Sequence, residues 1–306
     1  MRFMPQSTPE HSPNTPDSPD GQHGSHTVHG SNTPDTSDAP DTPDAASTLQ
    51  RTRTTVRTLV KEAPVTWTFL SLCLGVYLVM LVQSRSLTDT MGGFSYVTDQ
   101  YGHYVRMLDH GIGWDLIFAS ISVTKDHQWW RIFTASVVHL DVFHLMMNSL
   151  MIFLLGKEVE KTYGGFAMLC AIVAGAAGGS LACMYGAPNT PVGGASTVAY
   201  ALCALLVAVS AQTRQPLSSP MALIGVNLGF SLSIPGVSLW GHLGGLAAGV
   251  VLALIFYDHH ARVPTVWLSI AKTAFIKGSP VRLVLATLAT LAVSVAAVYV
   301  GLNGLY

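Results

Sequence analysis

The chain has 306 residues, 49% of them hydrophobic and only 11% charged, with a formal net charge of −1 and a mean hydropathy of +0.41. Soluble domains carry about 25% charged residues, so this deficit excludes an ordinary soluble fold and points to an integral membrane protein. The near-neutral balance, with no basic patch interleaved with aromatics, excludes nucleic acid as a partner.

Residues 1–55 read as a separate, disordered tail. "NTPDSPD", "NTPDTSD" and "APDTPDA" repeat a Thr-Pro-Asp theme, and large apolar residues are scarce. Such a segment cannot bury enough surface to offset chain entropy. Its histidines (His11, His23, His26, His29) offer at most weak metal binding. The N-terminal residues lack the apolar stretch of a signal peptide.

A membrane-crossing helix needs about 20 mostly apolar residues. Seven candidates follow the tail, at 65–83, 138–156, 165–185, 195–211, 218–234, 240–257 and 282–302, the fourth and fifth being short. A weaker stretch at 264–276, containing Lys272, reads as an interfacial amphipathic segment. Cys73, Cys170, Cys183 and Cys203 lie in apolar runs and read as small buried hydrophobes rather than a zinc site or disulfide frame.

Lys and Arg fix the expected direction. Arg51, Arg53, Arg57 and Lys61 precede span 1; Lys157 and Lys161 lie between spans 2 and 3; Arg214 follows span 4. Arg262, Lys272, Lys277 and Arg282 lie between spans 6 and 7, whereas the loops between spans 3 and 4 and between spans 5 and 6 hold neither residue type. The expected N-terminus is therefore cytoplasmic, and spans 2, 4 and 6 run from outside to inside, most naturally in a plasma membrane.

Polar side chains at membrane depth are costly and tend to mark function. Span 2 opens with His139, Asp141, His144 and Asn148, span 4 with Ser196, and span 6 with His242. The shared direction of these spans puts all six at similar depth in the outer leaflet. A serine becomes nucleophilic when a neutral histidine accepts its proton. No Asp or Glu occurs in spans 4 to 6 to orient such a histidine, so a Ser196–His242 dyad is more economical than a triad. His144 and Asn148, four residues apart on one helix face, can join the Ser196 N–H in holding an oxyanion. Each residue alone also has a bland reading: Ser196 as a small packing residue, His144 with Asn148 as interhelical glue. His139 reads as structural and Asp141 as exposed at the interface. Gly241, Gly245 and Gly249 form a small ridge on span 6, with Ala195 and Ala199 as the expected facing residues on span 4.

Several motifs together resemble the rhomboid intramembrane serine proteases over residues 60–260. "WWRIF" is similar to the family's Trp-Arg pair, at Trp130 and Arg131; "HLDVFHLMMN" contains its HxxxN at His144 and Asn148, with His139 before it. "LGKEVEK" matches GxxxE at Gly156 and Glu160, "GAST" stands where the family has GxSG, around Gly194 and Ser196, and "GHLGG" matches AHxxG at His242 and Gly245. Tyr200 matches a tyrosine that stacks on the catalytic histidine. One departure is Thr197, which replaces the second glycine of GxSG and adds bulk beside the expected oxyanion site.

The resemblance implies an all-α polytopic membrane protein: a six-helix core at 60–260, then a cytoplasmic linker and a seventh transmembrane helix within 261–306. It implies a serine endopeptidase acting on transmembrane protein substrates in the lipid bilayer, without cofactor or metal. Ser196 and His242 would be catalytic, His144 and Asn148 would hold the oxyanion, and Tyr200, Gly194 and Gly245 would support them. Trp130, Arg131, His139 and Glu160 would be structural. The alternative is a weakly active or inactive rhomboid-like membrane chaperone. A transporter predicts intramembrane acids or an inverted repeat, and the sequence has neither.

Overall fold

A computed structural model describes residues 61–92, 94–98, 102, 104–108, 111–233, 237–257 and 277–304. The tail, its histidines and the 264–276 segment lie outside the described residues.

Seven helices of 16 residues or more run through the described residues. They are α1 (Pro64–Ser84), α2 (Val142–Tyr163), α3 (Gly165–Gly186), α4 (Ser196–Gln212), α5 (Ser218–Ser233), α6 (Leu239–Phe256) and α7 (Pro280–Asn303). Five of them, α1, α2, α3, α6 and α7, are long and apolar enough to cross a membrane; α4, at 17 residues, is a shorter apolar helix. The polypeptide is thus an integral, multi-pass membrane protein with a helical core.

Local sequence sets the helix ends. Proline stands at the first position of α1, where its missing N–H costs nothing, and α1 closes on Arg85 in the left-handed region. Asp141 caps α2 by accepting the His144 N–H at 2.8 Å. Helix α2 therefore starts at Val142 rather than at 138, and His139 belongs to the preceding segment. Asp141 is half-buried in this capping role, not a free interfacial carboxylate. Gly164, at φ 89°, turns the chain directly from α2 into α3.

Helix α3 is the centre of the bundle, and small residues let its neighbours approach. A Cβ on Gly178 would lie 2.8 Å from the Gly244 carbonyl oxygen, and one on Gly244 would lie 2.2 Å from that of Gly178, so α3 and α6 meet backbone to backbone. The core joins Phe69 and Cys73 of α1, Ile152 and Leu155 of α2, Met168 and Ala171 of α3, Leu202 and Leu205 of α4, and Leu252 of α6. All four cysteines are buried and free. Outward positions stay apolar and exposed, among them Leu72, Leu78 and Val82 on α1 and Val284, Leu291 and Val295 on α7. In water such a surface would aggregate; in a bilayer it is the solvated face.

Between α1 and α2 lie elements absent from the sequence expectation. An antiparallel hairpin pairs β1 (Phe94–Thr98) with β2 (Tyr104–Leu108), Tyr96 opposite Arg106. Three short helical turns follow, at Ile112–Leu116, Ser120–Thr124 and Arg131–Thr134.

Candidate active site

The loop before α4 is held by the α1–α2 connection. Phe118 and Val192 form an antiparallel bridge, with N–O distances of 3.0 and 2.9 Å, and the Gly194 N–H donates to Ala135 O at 2.9 Å. Gly194 has φ +124°, and a Cβ there would lie 2.7 Å from the His144 ring. Only glycine fits that conformation and that clearance. Ser196 is the first residue of α4, so its backbone N–H has no acceptor within the helix.

Helix α6 brings His242 to this point. Ser238 caps α6 by accepting the Gly241 N–H, one turn before the imidazole. His242 Nε2 lies 2.8 Å from Ser196 Oγ. Such proximity requires α4 and α6 to touch, and the glycine ridge permits it. A Cβ on Gly245 would come within 2.2 Å of Thr197 O, and one on Gly249 within 2.4 Å of Ala201 O. The facing residues are thus Thr197 and Ala201, not Ala195 and Ala199 as the four-residue spacing suggested. The sequence gives the period of such a ridge but not the rotation of its partner.

Tyr200, one turn below Ser196, stacks on His242 with ring centroids 4.3 Å apart and planes at 16°. The other imidazole nitrogen, Nδ1, lies 2.6 Å from Ser231 Oγ on α5. Ser231 also donates to Asn227 O at 2.9 Å and meets the Tyr200 hydroxyl at 3.1 Å. The sequence reading missed Ser231. Its one signal was a polar pair on an apolar span, Asn227 and Ser231, four apart and hence on one face.

On the other side of Gly194 stand His144 and Asn148. The Asn148 side-chain amide is buried and donates to His144 O at 3.0 Å, a bond within its own helix. The His139 ring is fully buried, 5.2 Å from the His144 ring, with Nδ1 3.3 Å from Val137 O. The Thr90 hydroxyl donates to the His139 carbonyl at 2.8 Å, fastening this segment to the start of the α1–α2 connection.

The Thr197 side chain is buried, with its methyl against Gly179 and Gly241. A Cβ on Gly179 would lie 2.5 Å from that methyl, so the added bulk sits in a recess of α3 and α6 that a glycine opens.

Three structural residues act at a distance. The Arg131 guanidinium is buried and donates to the carbonyls of Trp114 and of Ile117 (2.9 Å), and to Gln128 Oε1. Burial lowers its pKa, while Asp115 and Asp126 oppose that shift. These bonds brace the segment whose next residue, Phe118, bridges to Val192. Trp130 is exposed and donates from Nε1 to Asp115 O at 3.4 Å. Glu160, at the far end of α2, accepts the Val65 and Thr66 N–H groups at 2.8 Å each and the Thr66 hydroxyl at 2.6 Å. It caps α1, not its own helix, and its charge suits that helix N-terminus.

Comparison with known proteins agrees with this architecture. Residues 126–259 match the rhomboid domain family. The chain is 29% identical over 136 residues to the rhomboid protease GluP of Bacillus subtilis, covering 43% of this chain and 27% of that protein. It is 27% identical over 141 residues to RHOMBOID-like protein 1 of Arabidopsis thaliana (44% and 36%), and 27% identical over 163 residues to human Rhomboid-related protein 3 (46% and 40%). The aligned part thus spans well under half the length of each of these relatives.

Proposed function

The chain belongs to the rhomboid family, and we propose that it is an intramembrane serine endopeptidase that cleaves transmembrane segments of other membrane proteins near the outer leaflet. The observation that carries this reading is the 2.8 Å contact between His242 Nε2 and Ser196 Oγ, built from two helices that only a glycine ridge lets meet.

In this reading Ser196 Oγ attacks the scissile carbonyl carbon while His242 Nε2 takes its proton. The carbonyl oxygen becomes an oxyanion, held by the Ser196 N–H and by the His144 and Asn148 side chains. Collapse of the tetrahedral intermediate breaks the C–N bond, and His242 returns the proton to the leaving amine. Water, activated by the same imidazole, then attacks the acyl-enzyme and frees Ser196. A regular helix hides its carbonyls, so substrates with Gly, Ala or Pro near the outer end of their span are favoured. They enter past α5, whose Met221, Val226, Phe230 and Leu232 face outward. The Lys and Arg distribution supports a cytoplasmic N-terminus, with the Ser196 end of the bundle facing outside in this reading.

The test is a purified, reconstituted chain with a single-span reporter carrying a Gly/Ala-rich outer segment, the cut mapped by mass spectrometry. The wild type cuts within that segment and Ser196→Ala does not. Equal cutting by both would end the serine-protease reading. Absence of cutting by either would favour the chaperone.

A further inference from the structure

The serine–histidine pair as read from sequence leaves the second imidazole nitrogen unassigned. The structure fills that place from a third helix. Ser231 Oγ lies 2.6 Å from His242 Nδ1, buried, on a helix that carries neither the nucleophile nor the base. A hydroxyl has one proton and two lone pairs. Ser231 has three partners: the Asn227 carbonyl at 2.9 Å, the Tyr200 hydroxyl at 3.1 Å and His242 Nδ1. All three are satisfied at once when Ser231 donates to Asn227 and accepts from both Tyr200 and the Nδ1–H of His242. That arrangement fixes the imidazole tautomer. With the proton on Nδ1, Nε2 presents a bare lone pair to Ser196 Oγ, which is what a general base needs.

We propose that Ser231 is the positioning residue of this site, completing a Ser196–His242–Ser231 relay in which a neutral hydroxyl takes the orienting place that a carboxylate fills in a charged triad. The role rests on the protease reading above. As His242 takes the Ser196 proton and becomes an imidazolium, its Nδ1–H bond to Ser231 strengthens, because one partner is now charged. The Tyr200 hydroxyl, donating to the same oxygen, holds it in register while the Tyr200 ring supports the imidazole face. Ser231 and Pro220 are the buried residues of α5, and Met221, Val226, Phe230 and Leu232 are exposed. The alignment of the base therefore depends on α5 being docked.

The experiment uses the full chain in proteoliposomes and compares wild type with Ser231→Ala, Ser231→Thr and Ser231→Val. Reporter cleavage gives kcat and KM, and a small fluorophosphonate reads Ser196 directly: the Ser196 Oγ–P bond forms, fluoride leaves, and His242 takes the proton. Loss of a hydrogen bond to a charged group predicts a fall of roughly ten- to a hundred-fold in kcat for Ser231→Ala. Its phosphonylation rate falls in parallel and KM stays within about two-fold, since nothing here binds substrate. Thr and Val have the same shape, so Ser231→Thr outpaces Ser231→Val by a similar factor. The role of Ser231 is overturned if Ser231→Ala keeps wild-type kcat and labelling, if KM alone moves, or if the Thr and Val variants behave alike. In those cases a cleaving, labelled wild type leaves the Ser–His reading standing. A wild type that neither cleaves nor labels removes that reading and this role with it.

Discussion

Thr197 shows how one side chain can depart from a family pattern and still fit. Its methyl occupies the recess left by Gly179 and Gly241, and its backbone lies against Gly245. Thr197→Gly would empty that recess and loosen the first turn of α4. The expected cost is about 1 to 2 kcal/mol, from a small cavity plus the poor helix propensity of glycine. Thermal unfolding in detergent should register this as a lower midpoint, while cleavage per folded molecule stays within a few-fold of wild type. An unchanged midpoint would mean that the recess closes without loss. At this scale the sequence is most informative where chemistry forces an unusual residue. Ser196, His242, His144 and Asn148 stand out because polar groups are rare in apolar spans. Ser231 does not stand out, because a serine on a thin helix looks like any small polar residue. Only the fold joins its hydroxyl to an imidazole 11 residues further along.

Two elements illustrate how helix ends and helix faces are fixed. The N-terminus of α1 presents unpaired N–H groups, and the Glu160 carboxylate from α2 takes two of them in a buried setting. Glu160→Gln keeps the shape but surrenders the charge-assisted bonds, at an expected cost of about 1 to 3 kcal/mol. A lower unfolding midpoint, with kcat per folded molecule unchanged, is the expected signature. A selective loss of kcat would instead link this end of the bundle to the chemistry. The α4–α6 contact makes a sharper prediction. Gly245→Val sets a branched side chain where even a Cβ lies 2.2 Å from Thr197 O, so the helices must part. Cleavage should fall at least about a hundred-fold, since a displacement near 1 Å at a reacting pair is enough for that. Wild-type rates would show that the contact is dispensable. The glycine period was legible in the sequence, and so was the existence of every long helix among the described residues. The facing residues were not, because helix rotation depends on packing against α3 as well. The hairpin of the α1–α2 connection went unread for a similar reason. Among the described residues its short strands pair only with each other, and they leave no long periodic trace.

Across the whole molecule, polar groups converge at one end of an apolar bundle. Ser196 starts α4, His242 lies near the start of α6, and His144 near the start of α2, beside Gly194. Glu160, at the opposite end of α2, is engaged with the start of α1. This polarity, with the Lys and Arg distribution, predicts a cytoplasmic N-terminus. A single cysteine placed in the tail of a Cys-free variant should resist an impermeant maleimide added to intact cells and react once they are lysed. Labelling of intact cells would invert the topology. Helix α7 extends the bundle by packing Gly301 against Val123 and Ile132 of the α1–α2 connection and Met184 of α3. Ser196 and His242 are expected to act as one unit, and a double-variant cycle measures that directly. Initial cleavage rates in proteoliposomes should fall at least about a thousand-fold for Ser196→Ala, for His242→Ala and for the double variant alike, because either loss already removes the shared step. A His242→Ala variant that keeps most of the wild-type rate, or a double variant whose deficit is the product of the two single ones, would contradict it.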